Sequence, residues 1–480
     1  MFDFDSFIEA VWEFDQVFWF IPLVLIVVLG VYSTVKFRAV QFTWLKEMFR
    51  VTFSFEKGAS SRITTFHVFC VSMGNRIGIG NVAGPVTAIA LGGPGAILWM
   101  WIFATLGGAT SFVETTVGQI FKSRDLNGDY IGGPAYNVSK GLNAKKLGMA
   151  VAVLMIAVYI GGFILSEIVT ISSSFSAAYD FENNTLVIAF ILAVIAVIVA
   201  IGGFRGVASV DVFIVPFVAL AWVVLSIVVV AMNFGGTYDA VVSIITCAFS
   251  VPSAVGGGLG SMITWALRRG VWSNEAGEGT ITNISSSADV SHPVKQGLSQ
   301  SLGVLFDTMV STLTALVILS FFHGDYDAIS GQYMGMGMSA QALIQAVMQA
   351  TIGDIAPTLV FFFMFLFALI CFMGDYVIGL NNLKFITQDP RARYGLIIFT
   401  ILVVFLSAFY GSEGLYGIMD VILGVAGIVN CYVMFKLSRH AYEAYQDYIR
   451  QKAEGIKDPV FRRTVLSDPS GVTEWDDRDT

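Results

Sequence analysis

The sequence predicts an all-α polytopic membrane protein, and three observations carry that prediction. Of its 480 residues, 56% are hydrophobic and only 13% are charged, whereas soluble domains carry about 25% charged residues. Apolar blocks recur along the chain at roughly the 20-residue length that crosses a bilayer. Two of these blocks are interrupted by glycines and polar residues. No stretch is left over for a soluble catalytic domain, so we expect no enzyme.

We predict eleven transmembrane helices from the apolar blocks. Residues 1–62 would hold an extra first helix and an interfacial cytoplasmic loop, residues 63–437 a ten-helix core, and residues 438–480 a cytoplasmic tail with a short helix and a mobile end. The eleven blocks lie near residues 18–35, 64–91, 95–121, 149–178, 184–203, 209–233, 255–284, 298–322, 355–380, 394–410 and 414–436.

The basic residues predict the orientation. Only Arg76, Arg268 and Arg269 lie within apolar blocks, and the other Lys and Arg residues fall in loops on one side of the predicted topology. The positive-inside rule therefore places the C-terminus in the cytoplasm and the N-terminus outside the plasma membrane. The acidic N-terminus lacks the basic region of a cleavable signal peptide.

We expect no cofactor and no transition-metal site, and nothing in the sequence indicates a nucleic-acid partner or an obligate protein partner. Residues Asp125, Asn127 and Asp129 begin like a calcium loop, but Tyr130 stands where such a loop needs glycine, so they predict a turn. The cysteines stand singly in apolar blocks, as small core residues would: Cys70, Cys247, Cys371 and Cys431.

The first interrupted block reads GNRIGIGNVAGPVTAIALGGPGAILWMW, residues 74–101. Its GxGxxA spacing matches a dinucleotide fingerprint, but that motif requires a βαβ unit. Close helix packing through small residues explains the glycines but not Arg76 and Asn81, because polar groups at membrane depth need a partner or a cavity. The block therefore predicts a discontinuous helix.

A break in a membrane helix creates binding groups. It frees backbone N–H and C=O groups, which cost several kcal/mol each in lipid unless something polar meets them. The new helix N-terminus can receive a carboxylate, and the unwound carbonyls can bind a small cation.

A second break is predicted in SAVGGGLGSMITWALRRGVWSNEAGEGTITNISSSA, residues 253–288. Gly277 follows Gly78 by 199 residues, with five spans between the two breaks. This spacing predicts a 5+5 inverted repeat behind one extra helix, with both discontinuous helices meeting near the membrane midplane.

Several motifs in order resemble the alanine or glycine:cation symporter family over residues 60–435. They are the first interrupted block, IGGPAYNVSKGL at 131–142, RGVWSNEAGEGT at 269–280 and HPVKQGLSQSLGVLFDT at 292–308. The resemblance implies a leucine-transporter-type fold, and it implies sodium-coupled uptake of small neutral amino acids such as alanine or glycine.

The resemblance also implies site residues. Substrate-binding candidates are Gly78, Ile79, Gly80, Ser166, Ser273, Asn274 and Gly277. Cation-binding candidates are Gly74, Ile77, Asn81, Ser273 and Asp307, with the Gly74 and Ile77 carbonyls in a second site. Charged residues in or beside the spans are, independently of the resemblance, candidate coupling groups or ion pairs. They are Arg76, Glu167, Arg269, Glu275, Glu278 and Asp375, where Glu275 or Glu278 would pair with Arg269 or Arg76.

The chain departs from the family pattern in three places. Ile79 replaces a hydroxyl residue, residues 162–169 read GFILSEIV in place of a glutamine and an asparagine, and residues 360–380 lack paired threonines and a tryptophan. These differences leave two alternatives open. One is a proton-coupled or altered-substrate transporter of the same fold, and the other is a gated channel or a substrate sensor on a transporter scaffold.

Overall fold

The computed structural model describes residues 10–11, 13–15, 17–54, 63–179, 184–249, 258–410 and 413–475. The described part of the protein is mostly helical, with 81% of those residues in helices. The first part contains α1 (Phe20–Lys36), α2 (Val40–Thr43), α3 (Leu45–Thr52), α4 (Thr65–Arg76), α5 (Ile79–Gly92), α6 (Ala96–Ile120), the antiparallel strands β1 (Ser123–Arg124) and β2 (Tyr130–Ile131), and α7 (Pro134–Tyr136) with a π-helical turn over Asn137–Gly141.

The middle part has α8 (Lys145–Val158) and α9 (Ile164–Ala178), joined by a π-helical turn over Tyr159–Phe163, then α10 (Asn184–Met232), α11 (Phe234–Cys247), α12 (Gly258–Asn274) and α13 (Ile281–Ser285). The last part has α14 (Pro293–Phe321), α15 (Tyr326–Ser330), a π-helical turn over Gly331–Gly335, α16 (Ala340–Ile352), α17 (Ala356–Ile386), α18 (Ala392–Tyr410), α19 (Glu413–Ala453) and a 3₁₀ turn over Arg463–Val465.

Seven helices of the described residues are long and apolar enough to cross a membrane, and Leu186–Val199 and Ala392–Leu406 are shorter apolar helices. Gly203 interrupts α10 with φ 58° and ψ −160°, a conformation that glycine adopts without steric cost. It separates the two apolar blocks expected there. The protein is a multi-pass membrane protein, while the count of eleven spans and the inverted repeat stay predictions.

The first predicted break is present between α4 and α5. The first of these helices ends at Arg76, Ile77 has φ −81° and ψ 85°, and Gly78 has φ −138° and ψ −151°. The side-chain oxygen of Asn81 then accepts a 3.0 Å hydrogen bond from the Gly78 backbone N–H. Asn81 thus satisfies a donor that the break leaves without a helical partner.

The second predicted break lies between α12 and α13. Residues 275–280 are not helical, and Glu275, Gly277 and Gly279 have positive φ values of 53°, 105° and 81°. A Cβ added at Gly277 would lie 2.8 Å from Cγ1 of Ile26. Glycine is therefore required at position 277 both by the backbone conformation and by the close approach of α1.

The end of the chain does not match the mobile tail predicted from its polarity. Helix α19 runs without a boundary at residue 437 to Ala453, and the residues after it fold back onto the protein. Trp475 Nε1 donates to the Gln119 carbonyl at 2.9 Å, and Phe461 and Val472 are buried. The prediction of a mobile end is wrong for residues 454–475, because the scattered apolar side chains of this polar segment are buried against the rest of the protein.

The hairpin of β1 and β2 confirms the turn predicted in place of a calcium loop. Asp125 Oδ1 accepts hydrogen bonds from the backbone N–H groups of Asn127 and Asp129 at 2.9 and 3.0 Å. Its other oxygen binds Lys384 Nζ at 2.9 Å. Although burial raises the pKa of Asp125, Lys384 and these backbone donors hold it below its usual value. The carboxylate therefore stabilises the turn and binds a lysine.

Candidate functional site

Arg76 joins the two helix breaks. Its side chain is 1% exposed, and Nε donates to the Asn274 carbonyl, the last residue of α12, at 2.9 Å. Nη1 donates to the Gln300 carbonyl at 2.8 Å and Nη2 to Ser111 Oγ at 2.8 Å. One guanidinium thus connects α4, α6, α12 and α14 through neutral oxygens.

The ion pair predicted for Arg76 is not formed in the described part of the chain. Its donors are used by the oxygens above, and Glu275 instead accepts a 2.7 Å hydrogen bond from Thr280 Oγ1. Both carboxyl oxygens of Glu278 are buried and receive no hydrogen bond from the described residues. The guanidinium has several directional donors, and the Asn274 carbonyl at the end of α12 is an acceptor that would otherwise be orphaned. Arg269 lies over the ring of Trp265, 5.4 Å from its centre.

Three predicted cation-binding residues from three helices meet beside the breaks. Asn81 Nδ2 donates to Asp307 Oδ1 at 2.7 Å and to Ser311 Oγ at 3.0 Å. Ser273 Oγ donates to the same Asp307 oxygen at 2.7 Å. All three predicted residues are at most 2% exposed. We call Asn81, Ser273, Asp307 and Ser311 the oxygen cluster.

The chemistry of the oxygen cluster fits a small hard cation. It combines a carboxylate with two hydroxyl groups, which are oxygen ligands that such ions prefer, and the Asn81 amide nitrogen orients the carboxylate. Ser273, Asp307 and Ser311 also line a cavity of about 10 Å³, close to the space that one water molecule needs. A larger polar ligand would not fit there.

A much larger cavity of about 510 Å³ lies between the broken helices and their neighbours α9, α16, α17 and α19. Nine of the residues predicted from the sequence line it: the substrate candidates Ile79, Gly80, Ser166 and Ser273, and the coupling candidates Arg76, Glu167, Arg269, Glu275 and Asp375. The two breaks thus open onto one polar hollow, as the sequence predicted.

The other predicted residues lie around this cavity without lining it. Gly78, Ile77, Asn81, Asn274 and Asp307 form its supporting wall at the two breaks. The Gly277 carbonyl faces away and accepts a 2.9 Å hydrogen bond from Asn430 Nδ2, whose amide also binds Glu114. Gly277 and Glu278 therefore shape the unwound segment on the side away from the cavity.

The environment of Gly74 includes a carboxylate that the sequence analysis missed. The Gly74 carbonyl accepts a hydrogen bond from Cys371 Sγ at 3.4 Å. A Cβ added at Gly74 would lie 3.8 Å from Asp211 Oδ2, on α10. Asp211 is fully buried, and neither of its oxygens receives a hydrogen bond from the described residues. A single aspartate within an apolar block is the signal that could have identified it.

Asn75 is a second residue that the sequence analysis missed. It lines the large cavity, and its Nδ2 donates to Asp375 Oδ1 at 3.1 Å. Glu167 is hydrogen-bonded to Asp375 as well. Three polar side chains from α4, α9 and α17 therefore converge on the cavity wall. The polar pair Asn75 and Arg76 directly before the break was the available signal.

An ion-pair network lies at the end of the cavity farther from α4. Arg268 binds the carboxylates of both Asp15 and Asp420. Arg268 and Asp420 line the cavity, whereas Asp15 lies in the segment leading into α1. This network links the extra first helix to the core, a connection that no sequence motif indicated.

The long apolar helices, the two meeting breaks and the polar cavity between them define a secondary transporter of the membrane. The chain belongs to the sodium:alanine symporter family, whose sequence profile matches residues 4–463.

Relatives named as amino-acid transporters match most of the chain. A probable sodium/glutamine symporter of Bacillus subtilis, GlnT, is 36% identical over 95% of this chain and 94% of its own length. The amino-acid carrier protein AlsT of the same organism is 35% identical over 94% and 93%. The sodium/alanine symporter AgcS of Methanococcus maripaludis is 34% identical over 62% and 66%.

Solved structures show the same fold. The transporter MhsT in complex with L-phenylalanine superimposes with a TM-score of 0.56, covering 82% of this chain and 98% of MhsT at 15% identity. A manganese transporter of Eremococcus coleocola has a TM-score of 0.52, with 86% and 91% covered at 11% identity. The leucine-transporter-type fold implied by the motifs is confirmed.

Proposed function

We propose that this protein moves a small neutral amino acid of the alanine or glycine type into the cell together with sodium, by alternating access. The observation that carries the proposal is the meeting of the two breaks: Ile79 and Gly80 line the same cavity as Ser273, and Ser273 also belongs to the oxygen cluster. An amino acid and a cation would thus bind next to each other.

The substrate carboxylate would bind at the N-terminus of α5. The first N–H groups of a helix have no intrahelical acceptor, and the helix dipole adds positive potential at that end. Ile79 and Gly80 are the first two residues of α5 and line the cavity. Gly78 precedes them, and Ser166, Ser273, Asn274 and Gly277 would complete the site or its support.

Sodium would bind at the oxygen cluster, where Asn81, Ser273 and Asp307 come from different helices. Because Ser273 reaches both the cluster and the cavity, ion and substrate would stabilise the same arrangement of the breaks. The Gly74 and Ile77 carbonyls are the proposed second cation site. The membrane potential contributes about 2.3 kcal/mol per charge per 100 mV to such uptake.

The cavity opens toward the predicted outer side. From α4 only Asn75 and Arg76, its last two residues, line it, whereas α5 contributes residues as far as Thr87 and α12 begins its lining at Trp265. The wall therefore comes from the halves of both broken helices that the positive-inside rule places toward the outside. We infer an outward-facing arrangement with the N-terminus outside.

Uptake into proteoliposomes tests the function. Radiolabelled alanine and glycine would be supplied with an inward sodium, potassium or proton gradient in turn, and we expect accumulation with sodium. Accumulation driven by protons alone would establish the alternative coupling ion. Exchange without any gradient, or conductance far above the rate of uptake, would contradict symport and indicate an exchanger or a channel.

A further inference from the structure

A separate cavity of about 340 Å³ lies outside the candidate transport site and shares no lining residue with the large cavity. Its walls come from β1, from α7 with the π-helical turn after it, and from the end of α17 with the two residues that follow. The positive-inside rule places these loops on the cytoplasmic side. The fold thus brings residues 123–140 and 384–388 together at one point that transport does not explain.

The charged residues that line this cavity are all basic, namely Arg124, Lys140 and Lys384. Two carboxylates bind them from outside it. Asp125 accepts from Lys384 Nζ at 2.9 Å, and Glu474 accepts from Arg124 Nε at 3.0 Å. Since neither carboxylate lines the cavity, its walls carry an excess of positive charge.

Lys140 has the least compensated of these charges. Its Nζ donates to three neutral oxygens, which are the Lys122 carbonyl at 2.6 Å, Ser123 Oγ at 3.0 Å and Thr473 Oγ1 at 2.8 Å. These contacts fix the ammonium group in place without neutralising it. An anion in the cavity would supply the missing negative charge.

Several hydrogen-bond donors around the cavity remain available. Lys384 Nζ uses one of its three N–H groups on Asp125, and Arg124 uses Nε and Nη2, so that its Nη1 donates to no described residue. Tyr136 is only 6% exposed, and its hydroxyl has no partner in the part of the chain that the structure describes. Buried polar groups are normally paired, so these donors indicate a ligand with several acceptor oxygens.

We propose that this cavity binds a phosphate group, carried by an anionic lipid headgroup or by a soluble phosphate ester. A phosphate presents several acceptor oxygens in different directions, which suits donors that come from three elements of the fold. Arginine binds such a group through its planar fork, and lysine binds it as a point charge. The inference is independent of the proposed function.

The position of the cavity suits a lipid headgroup. It lies at the end of α17, whose residues Ala356–Ile386 are long and apolar enough to cross a membrane. Phe385 and Ile386 give it an apolar, partly exposed wall beside the basic residues. Anionic lipids of the cytoplasmic leaflet attract Lys and Arg next to a membrane helix. A bound phosphate would join the β1–β2 hairpin to α17 and should stabilise the folded protein.

Binding to the purified full-length protein in neutral detergent tests the inference. Short-chain phosphatidylglycerol, phosphatidylcholine of the same chain length and glycerol 3-phosphate would be titrated by calorimetry, and the midpoint of thermal unfolding would be followed. We expect phosphatidylglycerol to bind at least about tenfold more tightly than phosphatidylcholine and to raise the midpoint. Binding of glycerol 3-phosphate alone would assign the cavity to a soluble phosphate ester.

The variants identify the cavity as the site. Arg124→Gln and Lys384→Gln should each weaken binding about tenfold, and Tyr136→Phe about fivefold, since it removes one neutral donor. Tyr136→Phe removes no contact made by a described residue, so it tests the site even if Lys384→Gln disturbs the hairpin. The exposed residues Lys146 and Tyr394 provide the controls Lys146→Gln and Tyr394→Phe, which should bind as the wild type does.

Three results would overturn the inference. The first is that neither phosphatidylglycerol nor glycerol 3-phosphate binds. The second is that phosphatidylcholine binds as tightly as the anionic compounds, because positive charge would then not select the ligand. The third is that Arg124→Gln and Tyr136→Phe both retain the affinity of the wild type, because the ligand would then bind elsewhere.

Discussion

Asn81 Nδ2 donates a 2.7 Å hydrogen bond to Asp307 Oδ1, linking residues that are 226 positions apart in the chain. The same asparagine accepts the Gly78 N–H through its side-chain oxygen. One amide therefore ties the break in the first discontinuous helix to α14. A change in sodium occupancy at the oxygen cluster would therefore act directly on the proposed carboxylate site.

Replacing Asn81 with alanine should weaken sodium dependence. The variant loses the donor that orients Asp307 and the acceptor that holds the Gly78 N–H, so the sodium concentration for half-maximal uptake should rise at least tenfold, about 1.4 kcal/mol. Uptake would be measured in proteoliposomes across a sodium series. Asn127→Ala, on the exposed hairpin, is the control, and an unaltered sodium dependence in the Asn81 variant would remove Asn81 from the cation site.

Arg76→Lys should destabilise the protein although the charge is kept. A lysine has no planar fork and cannot reach the Asn274, Gln300 and Ser111 oxygens together, and leaving buried acceptors unpaired costs about 1–3 kcal/mol each. The midpoint of thermal unfolding in detergent should fall by several degrees. Arg439→Lys, on an exposed face of α19, provides the comparison; equal midpoints for both variants would show that Arg76 does not hold the breaks together.

Much of this architecture could be predicted from the sequence. Glycine and polar interruptions identified both breaks, because a chain in lipid places such residues where backbone groups need partners. The predicted partner of Arg76 was wrong, since pattern alone does not reveal that the Asn274 and Gln300 carbonyls and the Ser111 hydroxyl lie within hydrogen-bond distance of the guanidinium. Asn75, Asp211 and the Arg268 network were missed because their roles depend on tertiary packing between helices distant in sequence.

Ala83→Cys should react with a charged, membrane-impermeant thiol reagent added from outside. Ala83 lines the cavity and is partly exposed, and the cavity is proposed to open outward. Alanine with sodium should protect the cysteine. Ser54→Cys, placed on the predicted cytoplasmic side, should react only after the membrane is permeabilised. Labelling of the wild-type protein measures the background reaction of its native cysteines. The reverse labelling pattern would refute the orientation.

The environment of Glu47 predicts a pH-dependent contact between α3, the interfacial helix, and the end of α19. It accepts hydrogen bonds from Arg50 and from Tyr448 at 2.7 Å. Burial raises its pKa, but these donors outweigh burial and lower the pKa to about 2 from its ordinary value of 4.5. Because the folded state has the lower pKa, the stabilisation is complete above pH 4.5 and is lost as the pH falls toward 2.

Glu47→Gln should therefore lower the free energy of unfolding at pH 7 by on the order of 1 kcal/mol. The difference from the wild type should shrink when unfolding is measured near pH 3. Glu454→Gln, at an exposed position after α19, should show neither effect. A difference for Glu47→Gln that stays constant between pH 7 and pH 3 would contradict the assigned protonation.

The most direct test of the account is alanine binding to the purified protein with and without sodium. If substrate and ion occupy adjoining sites at the two breaks, saturating sodium should tighten alanine binding by about tenfold or more, a coupling within the usual range of 1–3 kcal/mol. Reciprocally, alanine should tighten sodium binding by the same factor. Alanine affinity that is identical in sodium and in potassium would contradict the central claim.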